Sequence, residues 1–235
     1  LAVHRSTAGL ILLVSGVLFA LAISTFWLDR VAFTPTVDTE LAHAILQDED
    51  IARQIAVLVA SADAPALNMS PADLRDDIIG YTVTLAMATE MREFTAAAHA
   101  RMIGDRSEPV EITAAEQVQI VRDERVALLP SLRLPVERVG PLAIVAKATQ
   151  WTWMITFGLA ALSLLLGLIL RPERGELSYA LAVGMIGTGA MLVLFGYLMP
   201  GFVLPAVSTS DWVGAIPQLA KHRRTSTLVA GAVFA

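Results

Sequence analysis

The chain has 235 residues, of which 55% are hydrophobic, and a formal net charge of −5. Soluble domains contain about 45–50% apolar residues, so this composition predicts a polytopic membrane protein. Residues 29–150 contain 19 acids and 11 bases, whereas the rest of the chain contains 3 acids and 6 bases. The excess of acids in residues 29–150 argues against nucleic acid as a partner, because nucleic-acid phosphates bind positively charged surfaces. The sequence has no cysteine, which excludes disulfides, thiolate catalysis and cysteine zinc sites.

The first apolar run covers residues 7–28 and is long enough to cross the hydrocarbon layer. We predict an uncleaved transmembrane helix. A signal peptide is the alternative, although its apolar core is usually shorter and is followed by small residues. Gly16, Ala20 and Ser24 recur every four positions, the spacing at which membrane helices approach closely. The competing interpretation is that small residues are simply common in membrane helices.

Residues 29–150 are predicted to form an acidic, mainly helical extracytoplasmic domain. Asp38 and Ser70-Pro71 are helix-start signals, and Thr113–Glu116 has the pattern of a capping box. Asp48-Glu49-Asp50 places carboxylates at the positive end of another helix. The same triplet raises calcium as an alternative, but it lacks the spaced acids, glycine and distal glutamate of a calcium loop.

Prolines divide the predicted helices. Ala64-Pro65 predicts a loop, and residues 131–140 are predicted to have no regular structure. Nothing between Pro141 and Pro172 breaks a helix, so we predict one continuous helix of about 30 residues. Its part over residues 151–170 is the predicted second transmembrane helix.

A cytoplasmic turn, residues 171–176, joins this span to a third transmembrane helix over residues 177–198. The third span has small residues at every fourth position, which predicts a close contact with another helix. The candidate helix-packing or partner-contact residues of the chain are Gly16, Ala20, Ser24, Ala180, Gly184, Gly187 and Thr188.

Residues 199–225 are predicted to form an extracytoplasmic loop, and residues 226–235 the start of an incomplete fourth transmembrane helix. In the loop, Trp212, Val213, Ile216 and Leu219 are candidates for resting on the membrane interface. The predicted fold class is therefore an all-α membrane protein. It has about four transmembrane helices, with a mainly helical extracytoplasmic domain inserted between the first and second.

The basic residues do not decide the orientation, because three lie in the short segments on each side of the membrane. We expect residues 29–150 to face the periplasm from a bacterial cytoplasmic membrane, since long soluble inserts between spans are commonly exported.

No motif in the sequence indicates catalysis. The four histidines, His4, His43, His99 and His222, have no partner at a metal-binding spacing. The sequence has no nucleophile elbow, phosphate-binding loop or dinucleotide fingerprint. The three full spans have no ionisable residue in their interiors, whereas proton and ion pathways normally need such groups. We therefore predict no enzyme, no cofactor and no metal site, and we do not expect a stand-alone pump or channel.

Residues 132–141 read Leu-Arg-Leu-Pro-Val-Glu-Arg-Val-Gly-Pro and are followed by spans flanked by tryptophan. With the preceding span and helical exported domain, this pattern resembles actinobacterial membrane proteins. In size and four-span layout the chain is most similar to the LucB-type accessory membrane subunits of mycobacterial Mce lipid importers. The likeness covers the whole chain in layout but rests on no diagnostic motif and transfers no site residue.

The resemblance implies a non-catalytic accessory subunit that stabilises or regulates the import of fatty-acid-like lipids. Its implied partners are the permease and Mce-type subunits of the transport complex, together with the lipid bilayer. The small-residue faces, at Gly184 and Thr188 above all, are the predicted docking surface. The alternative is an envelope sensor or receptor whose helical domain binds a ligand and signals through the long helix that starts at Pro141.

Overall fold

The computed structural model describes residues 2–34, 37–170, 174–207 and 211–234. In chain order the helices are α1 (Ala2–Leu28), α2 (Thr39–Leu46), α3 (Glu49–Leu67), α4 (Pro71–Gly80), α5 (Leu85–Glu90), α6 (Arg92–Ile103), α7 (Ala114–Val121), α8 (Gly140–Ile169), α9 (Arg174–Val193), α10 (Ala215–His222) and α11 (Arg224–Phe234), and the strands are β1 (Val110–Ile112) and β2 (Leu132–Leu134). Asp29–Phe33 and Leu194–Val203 extend α1 and α9 as π-helical turns.

The chain folds as two compact units. We call Leu1–Phe33, Ile144–Val203 and Leu219–Ala235 the membrane unit. We call Thr34–Ala143 with Leu204–Gln218 the acidic unit.

Three helices of the membrane unit are long and apolar enough to cross a bilayer: Thr7–Phe33, Gly140–Ile169 and Gly175–Val203. The chain is therefore a helical membrane protein. The continuous helix expected from Pro141 is observed as α8, which has 30 residues. The predicted fourth span falls on α11, whose 11 residues are fewer than the ~20 that a span requires, so it remains a prediction. Residues 171–173 of the predicted turn lie outside the described residues.

Three helices of the acidic unit begin where their capping residues predict. The Asp38 carboxylate accepts the amide of Leu41 at 2.8 Å, and the Ser70 hydroxyl accepts the amide of Asp73 at 3.1 Å. Thr113 and Glu116 form the reciprocal capping box, in which each side chain accepts the other residue's backbone N–H.

The loop expected at Ala64-Pro65 is instead the last turn of α3. The Pro65 ring nitrogen has no hydrogen to donate to the carbonyl of Ser61, four residues earlier, and the helix ends three residues later, at Asn68 in the left-handed conformation (φ 55°). The amide of Asn68 donates to the carbonyl of Pro65, and the amide of Met69 donates to the carbonyl of Ala64. The last carbonyls of the helix are thereby satisfied.

The stretch predicted to be irregular, residues 131–140, contains strand β2. It pairs antiparallel with β1, and Val110 faces Leu134. The buried Gln117 explains the pairing, because its amide nitrogen donates to the carbonyls of Ile112 and Pro130 at 3.2 and 2.9 Å. The Gln117 side chain thus connects Ile112, the last residue of β1, to Pro130, which lies shortly before β2.

The expectation that Trp212, Val213 and Ile216 rest on the membrane interface is wrong. All three are at most 2% exposed, and they lie in the core of the acidic unit. The Trp212 indole donates to Oε1 of Gln54 at 2.6 Å, and its ring packs edge-on against Phe94 at 5.9 Å. Gln54 and Phe94 lie far from Trp212 in the sequence. The composition of residues 204–218, which is typical of a loop, therefore did not indicate that this segment is part of the core. Leu219, predicted with them, is buried and belongs to the membrane unit.

Candidate functional site: helix packing in the membrane unit

A close backbone contact in the membrane unit joins the two small-residue faces. A Cβ placed on Gly16 would lie 3.2 Å from the carbonyl oxygen of Ala180 and 3.3 Å from Cα of Gly184. A Cβ placed on Gly184 would lie 3.2 Å from Cα of Gly16. The backbones of α1 and α9 therefore approach each other closely here, as small residues on both helices allow.

The contact continues in both directions along α1 and α9. Gly187 faces Ala20, with a distance of 3.9 Å between its built Cβ and the Ala20 methyl group. One end of the contact brings Gly9 beside Glu176, and the other brings Trp27 beside Gly196. Sequence numbers rise together on both helices, so the first and third spans run parallel, as two spans with one span between them must.

All seven candidate residues belong to this region of α1 and α9. Ala20, Ser24, Ala180 and Thr188 are buried, at 1, 0, 5 and 4% exposure. The Thr188 hydroxyl donates to the carbonyl of Gly184 at 2.7 Å, which satisfies it within its own helix. The Ser24 hydroxyl is buried and has no hydrogen-bond partner in the described part of the chain. The two faces thus pack on each other inside the chain.

Two polar contacts that the sequence analysis missed join α1 to other helices. The buried Ser15 hydroxyl donates to the carbonyl of Ala160 on α8 at 2.8 Å. The Trp27 indole donates to the hydroxyl of Thr227 on α11 at 2.9 Å. A hydroxyl next to Gly16 in an apolar run was the available signal for the first contact, because such groups commonly hydrogen-bond across membrane helices.

Helix α8 is the least covered of the three spans. Only 17% of its most apolar window is buried, compared with 33% for Thr7–Phe33. Besides Ser15, its contacts with α1 include Phe157 edge-on against Phe19 and Trp153 edge-on against Phe26, at 5.7 and 5.4 Å between ring centroids. Ile155, Leu159, Leu162, Leu166 and Ile169, all on the opposite side, are 49–73% exposed.

The acidic unit contains a buried carboxyl group that the sequence analysis also missed. Asp63 is fully buried, and neither carboxylate oxygen has a hydrogen-bond partner in the part of the chain that is described. Burial raises the pKa of Asp63 to about 6, from an ordinary value of 3.8. The available signal was its position, since Val59, Asp63 and Leu67 follow one another at four-residue intervals on the buried face of α3.

The raised pKa has a consequence for stability. Between the unfolded value of 3.8 and the folded value of about 6, the folded state keeps a proton that the unfolded state has lost. The contribution of Asp63 to stability is therefore complete below about pH 4 and is lost as the pH rises to about 6.

The described residues hold no group of three or more histidine, aspartate or glutamate side chains that could bind a metal ion. His43 lies 3.0 Å from the carbonyl of Val83, and Asp48 accepts the amide of Gln218 at 3.3 Å. Asp48 thus contacts the C-terminal segment of the acidic unit rather than capping α3 with its side chain. The chemistry that these described groups support is packing and hydrogen bonding.

No family model, curated protein or solved structure matches this chain. The likeness to accessory subunits of Mce lipid importers therefore remains a prediction.

Proposed function

We propose that the chain is a non-catalytic accessory subunit that stabilises or regulates a multi-subunit lipid import complex in the bacterial envelope. In this proposal α8 docks on a transmembrane helix of a permease or Mce-type subunit. The four-span layout of the sequence supports a lipid import complex as the assembly. The exposed apolar face of α8 in the membrane unit supports docking through that helix.

The outward face of α8 is the observation that carries the proposal. Five of the exposed apolar residues of α8, from Ile155 to Ile169, follow one another at intervals of four, three, four and three residues. This is the heptad spacing of helix–helix seams. The small-residue faces of α1 and α9 already fill each other, so α8 replaces them as the docking surface that we propose.

Site-specific photo-crosslinking tests this docking surface. A photoreactive residue at Leu162, which is 65% exposed, is expected to crosslink to a membrane subunit of a lipid transporter in the cells that make the protein. The matched control is Ala160, two residues away and fully buried, where no crosslink to another protein is expected. Crosslinks from Leu159, Leu162 and Leu166 to lipid alone would contradict the proposal.

We further propose that the acidic unit faces the periplasm. Leu204–Gln218 belongs to the same unit as Thr34–Ala143. Two of the spanning helices lie between these segments in the sequence, and two crossings return the chain to the same side of the membrane, which supports one side for both. Because the sequence has no cysteine, a cysteine introduced by substitution is the only thiol available for labelling. Leu128→Cys, at a side chain that is 95% exposed, should react with an impermeant maleimide in intact cells. Gly175→Cys, at the first residue of the third span, should react only after lysis, and the reverse pattern would invert the orientation.

A sensor or receptor is the second candidate, and one feature of the acidic unit favours it. A surface cavity of about 290 Å³ is lined by apolar and polar side chains that include Leu46, Gln47, Arg53 and Tyr81. Deletion of residues 38–130 should then abolish a ligand response while the chain still co-purifies with its complex. An unchanged ligand response in a deleted chain that still co-purifies would exclude the sensor.

A further inference from the structure

An apolar cavity lies in the membrane unit. It has a volume of about 450 Å³ and is lined by Phe26, Trp27, Trp153, Phe157, Leu192 and Ala230, among others. The lining residues come from α1, α8, α9 and α11. The volume falls within the range of about 300–1,000 Å³ that is usual for pockets holding small molecules. Its two tryptophans place it near the level of the lipid headgroups.

Three arginines lie at one end of this cavity. Arg30 follows Phe26 by one turn, and its guanidinium carbon lies 5.3 Å from the centre of the Phe26 ring, at the edge of the cavity. Arg223 and Arg224 precede Thr227, which accepts the Trp27 indole, by about one turn. All three side chains are exposed.

The direction of the helices puts these arginines on one side. Gly196 faces Thr227 and Gly231 faces Gly189, so α11 runs antiparallel to α9 and therefore to α1. Arg30 lies after Trp27 in the π-helical extension of α1, and Arg223 lies before Thr227, immediately ahead of α11. Both are therefore displaced from the Trp27–Thr227 hydrogen bond in the same direction, by roughly 4–6 Å at 1.5 Å per residue. On α11, Ala230 is displaced in the opposite direction, towards the interior of the membrane.

We propose that this cavity binds one anionic phospholipid, with an acyl chain against the aromatic walls and the phosphate on Arg30, Arg223 and Arg224. An apolar cavity within the membrane is surrounded by acyl chains, which match its walls. Guanidinium groups bind phosphate oxygens through paired hydrogen bonds and stay charged at every physiological pH. Basic side chains near the membrane surface also attract anionic lipids over neutral ones. This inference does not depend on the accessory-subunit proposal.

Quenching of tryptophan fluorescence by brominated lipids tests the site directly, because Trp27 and Trp153 line it. The full chain carrying Trp151→Phe is reconstituted in phosphatidylcholine vesicles that contain a small fraction of lipid brominated on its acyl chains. That substitution removes a tryptophan that is 57% exposed and would report surrounding lipid. Brominated phosphatidylglycerol should quench more strongly than brominated phosphatidylcholine at the same mole fraction.

Two variants separate the roles of the headgroup site and the cavity. Arg30→Gln should lower the relative affinity for phosphatidylglycerol about fivefold, the expected effect of one interfacial cation. Arg92→Gln makes the same change of charge on an exposed residue of the acidic unit and should leave the affinity unchanged. Ala230→Phe fills the cavity and should reduce quenching by both brominated lipids.

The outcomes decide between a specific site and ordinary lipid contact. Equal quenching by the two brominated lipids in the parent chain would overturn the proposal. So would a loss in Arg92→Gln as large as that in Arg30→Gln, or unaltered quenching in a folded Ala230→Phe chain. If Ala230→Phe does not fold, unbrominated phosphatidylglycerol provides the same test, because it must relieve the quenching of the parent chain while phosphatidylcholine does not.

Discussion

Replacement of Gly184 by leucine should destabilise the membrane unit, because this glycine touches the backbone of another helix. The built Cβ lies 3.2 Å from Cα of Gly16. Carbon atoms in contact prefer about 3.5–4.0 Å, so even a methyl group must push the two helices apart by roughly 0.3–0.8 Å. No side chain can turn away to relieve the clash, and Gly16 has none to shorten.

The magnitude follows from this geometry. Gaps of about 0.5–1 Å forfeit a quarter to a half of the dispersion energy of the atoms concerned, and overpacking of this kind typically costs about 1–3 kcal/mol. For a chain of this size, each kcal/mol lowers the Tm by about 2–4 °C. We therefore expect Gly184→Leu to lower the Tm by about 2–12 °C, measured by tryptophan fluorescence on the full chain in mild detergent.

Gly158→Leu is the matched control. Gly158 lies in α8, and nothing lies within 4 Å of its built Cβ. The same substitution there should leave the Tm unchanged or raise it slightly, because leucine has the higher helix propensity. If the two variants melted at the same temperature, the close contact between α1 and α9 would not contribute to stability, and this reasoning would be refuted.

Three further predictions concern other contacts. Asp63→Asn should raise stability at pH 7.5 by at most about 3 kcal/mol and flatten the fall in Tm between pH 4 and 6; an unchanged pH profile would show that Asp63 does not titrate there. Trp212→Phe should lower the free energy of unfolding, measured with urea, by about 1–3 kcal/mol, because the hydrogen bond from the indole is lost. Trp151→Phe, at a side chain that is 57% exposed, should lower it much less. Gly196→Ala should lower the Tm, because its Cβ would lie 2.5 Å from the Trp27 ring; Gly201→Ala, with open space around its Cβ, should not, and equal effects would contradict the contact.

Local signals in the sequence predicted local structure well. The helix starts at Ser70-Pro71 and Thr113 depend on side chains that hydrogen-bond within three residues, so they need no contact with distant residues. The apolar length of α8 likewise depends only on consecutive residues. These features could be predicted because their causes lie within a few residues of one another.

Contacts between distant residues could not be predicted in the same way. Each small-residue face was visible alone, but nothing in either stripe indicates whether it packs on the other stripe or on a partner. Strands β1 and β2 have three residues each, too few for an alternating pattern, and their pairing depends on the buried Gln117. The burial of Trp212 depends on Gln54, which lies 158 residues earlier.

The position of Trp212 has a consequence for how the protein is made. The ribosome completes residues 34–143 long before Trp212 is synthesised, and the second and third spans come between them. Until those spans have entered the bilayer, the core around Gln54 and Phe94 lacks the ring that fills it. Completion of the acidic unit therefore requires that the second and third spans have been inserted, and a chain that stalls halfway exposes an open core to proteases and chaperones.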